Sequence, residues 1–203
     1  DNHIESQAIK KFAELVDQKT KGQVKIIPYF GESLGDSKTQ LENMVQGVQD
    51  FYADSYTFYE KYSNAFRIHS LPYVFRDNDH YVKFLKSDAQ AQMEKELLDK
   101  AGIRIINIDR NWPRGPYRVI ASKKPIKSLA DLKGLKLRLP DSQSQFKTWQ
   151  ALGPAISTIP WSECYLALKQ GTIEAITAPI GDIYQEKFYE VVSHVTVTYE
   201  YPQ

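Results

Sequence analysis

SLADLKGLKLRLP, residues Ser128 to Pro140, is the stretch from which the fold can be read. Asp131 to Gly134 reads as a turn. Beyond it Leu135, Leu137 and Leu139 alternate with Lys136 and Arg138, the period-two pattern of a half-buried strand. The leucines take one face, so Arg138 takes the other. Pro140 has no amide hydrogen and cannot continue a central ladder, so the strand stops just past Arg138. The guanidinium is thereby left near a strand's carboxyl end, the edge at which open α/β sheets hold ligands.

Working outward, Tyr117 to Ala121 reads as a strand carrying Arg118, and Gln143 to Leu152 as a helix ended by Gly153-Pro154. Ala155 to Ile159 is a strand. Ser162 caps a helix to Lys169 that Gly171 ends, Thr172 to Ala178 is a strand, Ile183 to about Val191 a helix, and Val195 to Tyr201 a strand. Upstream, apolar residues from Ile4 to Val16 share a helix face, ended by Gly22, and a strand follows at Val24 to Phe30. Ser37 with Gln40 is a capping-box pattern opening a helix to about Gly47, and Asp50 to Asp54 is a short strand. Tyr56 to Arg67 is ambiguous; Asp79 to about Lys100 is helical and Ile103 to Ile108 alternates as a strand. Helices and strands in alternation predict an α/β fold with a largely parallel sheet. Two prolines and a glycine within Asn111 to Pro116 mark a crossing, dividing the chain into an α/β domain at 1–115 and a second at 116–203. The first helix has no strand before it and the last strand no helix after it, so the reading expects segments absent at both ends.

With 203 residues, 42% hydrophobic and 25% charged, the chain can bury one or two cores. Lys and Arg number 26 against 25 Asp and Glu, a net charge of +1 that provides no bulk field for nucleic acid or an anionic membrane. Anion recognition must be local. No apolar run approaches the ~20 residues that span a bilayer, and the N-terminus lacks the apolar core of a signal peptide, so an exported protein would already have lost its signal. Cys164 is the only cysteine, which excludes an internal disulfide and a cysteine-based zinc cluster. Thirteen tyrosines and three tryptophans suit a small-molecule cleft as well as a core.

Arg138, at a strand end and followed by a loop, suits bidentate capture of a carboxylate. Arg118 is the second candidate, with Arg104, Arg110 and Arg114 close enough in sequence to share its role. Trp161 follows Pro160 and precedes Ser162, at a cleft edge. Asp54 and Asp141 would repel a carboxylate, so in a site they accept from ligand hydroxyls or pair with arginines. Gly31-Glu32-Ser33-Leu34-Gly35 matches the nucleophile elbow of serine hydrolases, but the helix after it starts near Ser37 and no upstream strand offers an oxyanion loop. Asp77, Asp79 and His80 read as a capped helix start rather than a metal site. No phosphate loop or dinucleotide fingerprint occurs, and no cofactor is expected.

KKPIKSLADLKGLKLRLP, then LGPAISTIPWSECYLALKQGTIEAITAP and KFYEVV, with FAELVDQKTKGQVKIIPYFGESLGD, VQGVQDF and SLPYVFRD upstream, resemble one family. It is the extracytoplasmic solute-binding subunit of tripartite ATP-independent periplasmic (TRAP) transporters, of the dicarboxylate-binding, DctP-like type. The resemblance covers nearly the whole chain in order. It implies a two-domain periplasmic-binding-protein-like fold that closes on a small organic acid and delivers it to TRAP membrane subunits. It also implies a periplasmic, monomeric protein with no catalysis, metal, cofactor or nucleic-acid partner.

By resemblance, Arg138 forms the salt bridge to the ligand carboxylate and Arg118 is the second arginine. Trp161 is the site aromatic, Asp54, Ser55 and Tyr56 come from the short strand before TFYEKY, and Asp141 stands where asparagine is common. Many members carry asparagine before the proline of the later strand; here Ala178 stands there, beside Thr177, so one polar contact is missing and space is opened. Two other readings are a hydrolase using Ser33 and a binding domain of a sensor or ATP-driven importer.

Overall fold

The structure, a computed structural model, describes residues 3–112, 114 and 117–200. In chain order it contains α1 (Ile4–Lys19), α2 (Ser37–Val45), two 3-10 segments (Tyr56–Lys61 and Asn64–Ser70), α3 (Asn78–Leu85) and α4 (Asp88–Ala101). Then come β1 (Arg118–Ser122), β2 (Lys136–Arg138), α5 (Gln143–Gln150), β3 (Ala155–Ser157), α6 (Cys164–Gln170), β4 (Ala175–Pro179), α7 (Ile180–Gln185) and β5 (His194–Val197).

All the strands among the described residues lie in the second half and form one sheet of order β3-β2-β4-β1-β5. The sheet is mixed, not largely parallel: β2 runs parallel to β3 and β4, while β1 is antiparallel to both β4 and β5. Alternation sorts its side chains onto two cores. Val119, Ala121, Ile176 and Ala178 pack with Leu168, Ile183 and Phe188 under α6 and α7. Ile120, Leu135, Leu137, Leu139 and Ala175 pack with Trp149 of α5 on the other face. A fully buried leucine of this kind contributes roughly 1.5–3 kcal/mol relative to exposure. Gly171 ends α6 at φ 79°, where a side chain would be strained.

The first half packs differently. Leu41, Tyr59, Phe66, Met93, Leu97 and Ile103 make one helical core, and Phe75, Tyr81 and Leu85 a smaller one beside it. The expected strands at Val24–Phe30, Asp50–Asp54 and Ile103–Ile108 are extended segments without ladders, and Val24, Ile27, Phe51, Ile106 and Ile108 are exposed. Period-two patterning selects an extended backbone but supplies no pairing partner.

Helix limits move for local reasons. Asp36, not Ser37, caps α2, its carboxylate accepting from the Thr39 amide at 2.9 Å, which frees the Ser37 hydroxyl to reach Asp54. The expected helix from Asp79 to Lys100 is two helices, because Ser87 caps α4 through the Gln90 amide. Ser162 caps nothing: it lies in a 3-10 turn, Trp161–Glu163, that leads into α6. The last expected helix begins at Ile180 and stops at Gln185, before a separate 3-10 turn at Phe188–Glu190. The expected domain crossing includes Pro113, Gly115 and Pro116, and the last expected strand ends at Tyr201; these lie outside the described residues.

A candidate carboxylate-binding cleft

A cleft of about 2440 Å³ runs between the first half of the chain and the carboxyl edge of the sheet. That exceeds the ~300–1,000 Å³ typical of small-ligand pockets, so the chemistry depends on where its polar groups converge. Two lining arginines stand out: Arg114, which gathers three carboxylates, and Arg138, which pairs with no acid among the described residues.

Arg138 closes β2 on the face opposite Leu137 and is only 6% exposed. Its Nε and Nη2 donate to the Ile159 carbonyl at 2.9 and 2.7 Å, and its guanidinium lies 5.5 Å from the Trp161 ring, a cation–π distance. Among the described residues no acid forms an ion pair with it. Burial pulls its pKa below the ordinary arginine value, opposed by Cys164 and reinforced by Arg118. The group nevertheless stays protonated at any physiological pH. A buried cation held by a carbonyl and a ring, on a cleft wall, is a charge in want of an anion. Trp161 itself is wedged edge-on against Phe188, with centroids 5.1 Å apart.

Arg118 differs. It is equally buried and also lines the cleft, but its Nη2 donates to the carbonyl and hydroxyl of Thr177 at 2.5 and 3.2 Å. Strand alternation puts it on the face of Ile120, opposite Arg138, so the two arginines meet only over the sheet edge. Arg118 also feels Glu200, whose carboxyl is pushed up to about 7 by burial, with Arg118 and Thr198 opposing.

That shift predicts a pH dependence. A buried acid whose pKa rises from 4.5 to about 7 binds more protons folded than unfolded between those values. Stability therefore falls as pH rises through that window and levels off above it. Glu200→Gln should raise the melting midpoint at pH 8 by an amount worth on the order of 2 kcal/mol and change little at pH 4. Melting curves of both proteins across that range that stay parallel would refute it.

The remaining candidates separate into three groups. Asp54 lines the cleft but is already saturated: Oδ1 takes Arg114 Nη1 at 2.6 Å and the Ser55 amide at 2.7 Å, and Oδ2 takes the Tyr52 and Ser37 hydroxyls. Ser55 caps the 3-10 segment through the Thr57 amide, and the Tyr56 hydroxyl accepts from Arg110 while its ring stacks on His69 at 4.7 Å. Asp141 stands exposed on the cleft wall. Thr177 and Ala178, in contrast, do not line the cleft. Both are fully buried in β4, because Ala178 faces the α6–α7 core and Thr177 is spent on Arg118.

Sequence reasoning left the role of Arg114 open. It is a hub, its guanidinium meeting Glu5 at 2.7 Å, Asp54 at 2.6 Å and Asp182 at 3.2 Å, three carboxylates from separate segments. Burial pushes the Asp182 carboxyl up to about 6, with Arg114 pulling it back and Glu5 pushing further. Arg110 is likewise committed, to Glu94 at 2.7 Å. Neither leaves charge over for a ligand. The only sequence signal for the hub was an arginine inside a proline-glycine crossing, which does not name its acids.

The decoys resolve locally. Ser33 is exposed in a turn, and α2 begins at Ser37 rather than at the serine. His69, a conceivable base, is buried, and desolvation drives its pKa down to about 3. Asp77 caps α3, accepting from the His80 amide at 2.7 Å.

The model of the bacterial extracellular solute-binding proteins, family 7, matches residues 1–202. The chain belongs to that family. Among solute-binding relatives, a protein of Sulfitobacter sp. (strain NAS-14.1) is 33% identical over 199 residues, covering 98% of this chain and 59% of its own. The 2,3-diketo-L-gulonate-binding periplasmic protein YiaO of Escherichia coli (strain K12) is 28% identical, covering 95% and 57%. A solved TRAP periplasmic solute-binding protein from Sulfitobacter sp. NAS-14.1, with bound α-D-taluronate, superposes with a TM-score of 0.81 at 33% identity, over 96% of this chain and 62% of that one. The sugar acid binding protein DctPAm of Advenella mimigardefordensis, in complex with galactonate, shares the fold at a TM-score of 0.90 and 24% identity, over 100% of this chain and 64% of that one. The fold is thus the two-domain α/β fold of these proteins. This chain spans about three fifths of the length of these solute-binding relatives.

Proposed function

We propose that this chain is the ligand-closing part of an extracytoplasmic TRAP-type solute receptor. In this reading two lobes, 1–115 and 116–203, close over a small organic acid whose carboxylate is taken by Arg138. One observation carries it: a guanidinium 6% exposed, on the cleft wall, with no acid partner among the described residues. A carboxylate placed there satisfies a charge whose desolvation the fold has already met, and lobe closure excludes water and strengthens the pair. Arg118 provides a second cationic edge, Trp161 an apolar platform, and Asp141 an acceptor for ligand hydroxyls. The named relatives that bind sugar acids support an acid bearing hydroxyls. Thr177 and Ala178 act indirectly, Thr177 by holding Arg118. Location outside the cytoplasm, action without catalysis, and delivery to membrane subunits follow from the same reading.

The test is a thermal-shift screen of the full-length protein against aldonic, uronic, keto and dicarboxylic acids, with hits measured by calorimetry. A hydroxylated acid should raise the midpoint and bind at micromolar or tighter affinity, about −8 kcal/mol. No response to any carboxylate, with a response to a neutral sugar instead, would sink the proposal.

A further inference from the structure

The GESLG turn that imitates a nucleophile elbow has a different use. Gly31, Glu32 and Gly35 all hold positive φ, 64°, 56° and 104°, and a β carbon at Gly35 would come within 2.7 Å of the Thr39 side chain. For Glu32, a non-glycine residue, the left-handed conformation costs roughly 1–2 kcal/mol, so the surroundings must hold it there. Locally the Gly35 amide donates to the Glu32 carbonyl at 2.9 Å, and the side chain reaches across the cleft. Glu32 Oε2 accepts from the Ser162 amide at 3.0 Å and from Ser162 Oγ at 2.6 Å, a contact between positions 130 apart in the chain. Ser162 is the neighbour of Trp161, whose ring covers Arg138.

Other bridges join the same halves elsewhere, among them Arg114 to Asp182 at 3.2 Å, the Ile4 amide to Gln185 Oε1 at 2.5 Å and the Tyr73 amide to the Glu200 carbonyl at 2.6 Å. Ser70 Oγ lies 2.6 Å from Ser144 Oγ, and Glu60 Oε2 accepts from the Ser144 amide at 3.3 Å. In the Glu32 and Glu60 bridges a first-half carboxylate takes a second-half amide, and of these two the Glu32 bridge adjoins the anchor.

We propose that Glu32 is a positioning residue: by clasping Ser162 it ties the first lobe to the second beside the anchor and steadies Trp161, already wedged against Phe188, over Arg138. The ligand half of this inference rests on the receptor reading; the clasp does not. Because the contact spans the cleft beside the anchor, its loss shows chiefly as faster escape of a bound acid, the rate in which most affinity changes at an interface appear. Glu32 also lines the cleft, where its carboxylate is hydrogen-bonded to Ser162 and its charge still reaches the Arg138 guanidinium.

The experiment places dyes on the full-length protein at Lys19→Cys and Lys169→Cys, one exposed site per lobe, with the native Cys164 buried and unlabelled. Interlobe distances are measured without ligand, and association and dissociation rates with the acid found in the screen. Glu32→Ala should broaden the distances and speed dissociation about 10-fold, with association within about twofold. Glu32→Gln, which keeps an acceptor oxygen, should stay near the parent, and Ser70→Ala should broaden the distances without the full gain in dissociation rate. Distances and dissociation rates unchanged in Glu32→Ala would overturn the proposal. Distances that broaden in Glu32→Ala while the parent binds no acid would keep the clasp and discard the receptor.

Discussion

Arg138→Met removes the response to organic acids and leaves the ligand-free melting midpoint where it was or higher. The two halves of that result have one cause. Arg138 is buried on the cleft wall and held by a single carbonyl and a ring, with no anion paired to it among the described residues. Its desolvation is unrepaid in the empty protein, so a methionine of similar length, free of charge, costs the fold little. With ligand bound, the pair is desolvated and bidentate. Truncating it costs about 2–5 kcal/mol, roughly 30-fold to several thousand-fold in affinity. Arg138→Lys should recover only part of this, since an ammonium lacks the planar fork. Calorimetric titration alongside melting curves checks both halves. A variant that melts well below the parent would make Arg138 a structural residue, and one that binds as tightly would remove it from the site.

Arg114→Met is expected to do the reverse, destabilising the fold by about 3–5 kcal/mol, or roughly 6–20 °C in midpoint for a chain of this size. It strips the shared counter-charge from Glu5, Asp54 and Asp182, the last of them only 4% exposed, and leaves three carboxylates facing one another. Arg114→Lys should rescue part of the loss, because one ammonium cannot meet three acids in the geometry of a fork. Adding Asp182→Asn to Arg114→Met should recover more, since it removes the most buried of the stranded charges. Equal stability of parent and Arg114→Met in denaturant titration would show that water, not Arg114, satisfies the acids.

Arg138 and Arg114 mark what sequence pattern can and cannot reach. The alternation of Leu135, Leu137 and Leu139 with Arg138 placed that arginine opposite the core and Pro140 placed it at a strand end, both from strand geometry alone. Arg114 gave no such signal, because its partners come from residues 5, 54 and 182 and only the fold assembles them. Glu32 was visible only as the second letter of a hydrolase-like motif, and its partner Ser162 looked like a helix cap.

The chain's sequence by itself determined the strands of the second half, where most helices stop, that anion recognition must be local, and that Arg138 lies at a strand end on the face away from Leu135, Leu137 and Leu139. These follow from period, prolines, glycines and charge balance, all local properties. Only the tertiary structure decided that β1 runs antiparallel, that Arg118 and Arg138 approach from opposite faces, and that Thr177 and Ala178 lie inside the sheet. It also decided that the extended segments of the first half go unpaired. Strand direction, pairing and long-range ion pairs depend on which distant segments become neighbours. A backbone's own periodicity does not encode that, because the energy lies in the contact and not in either partner.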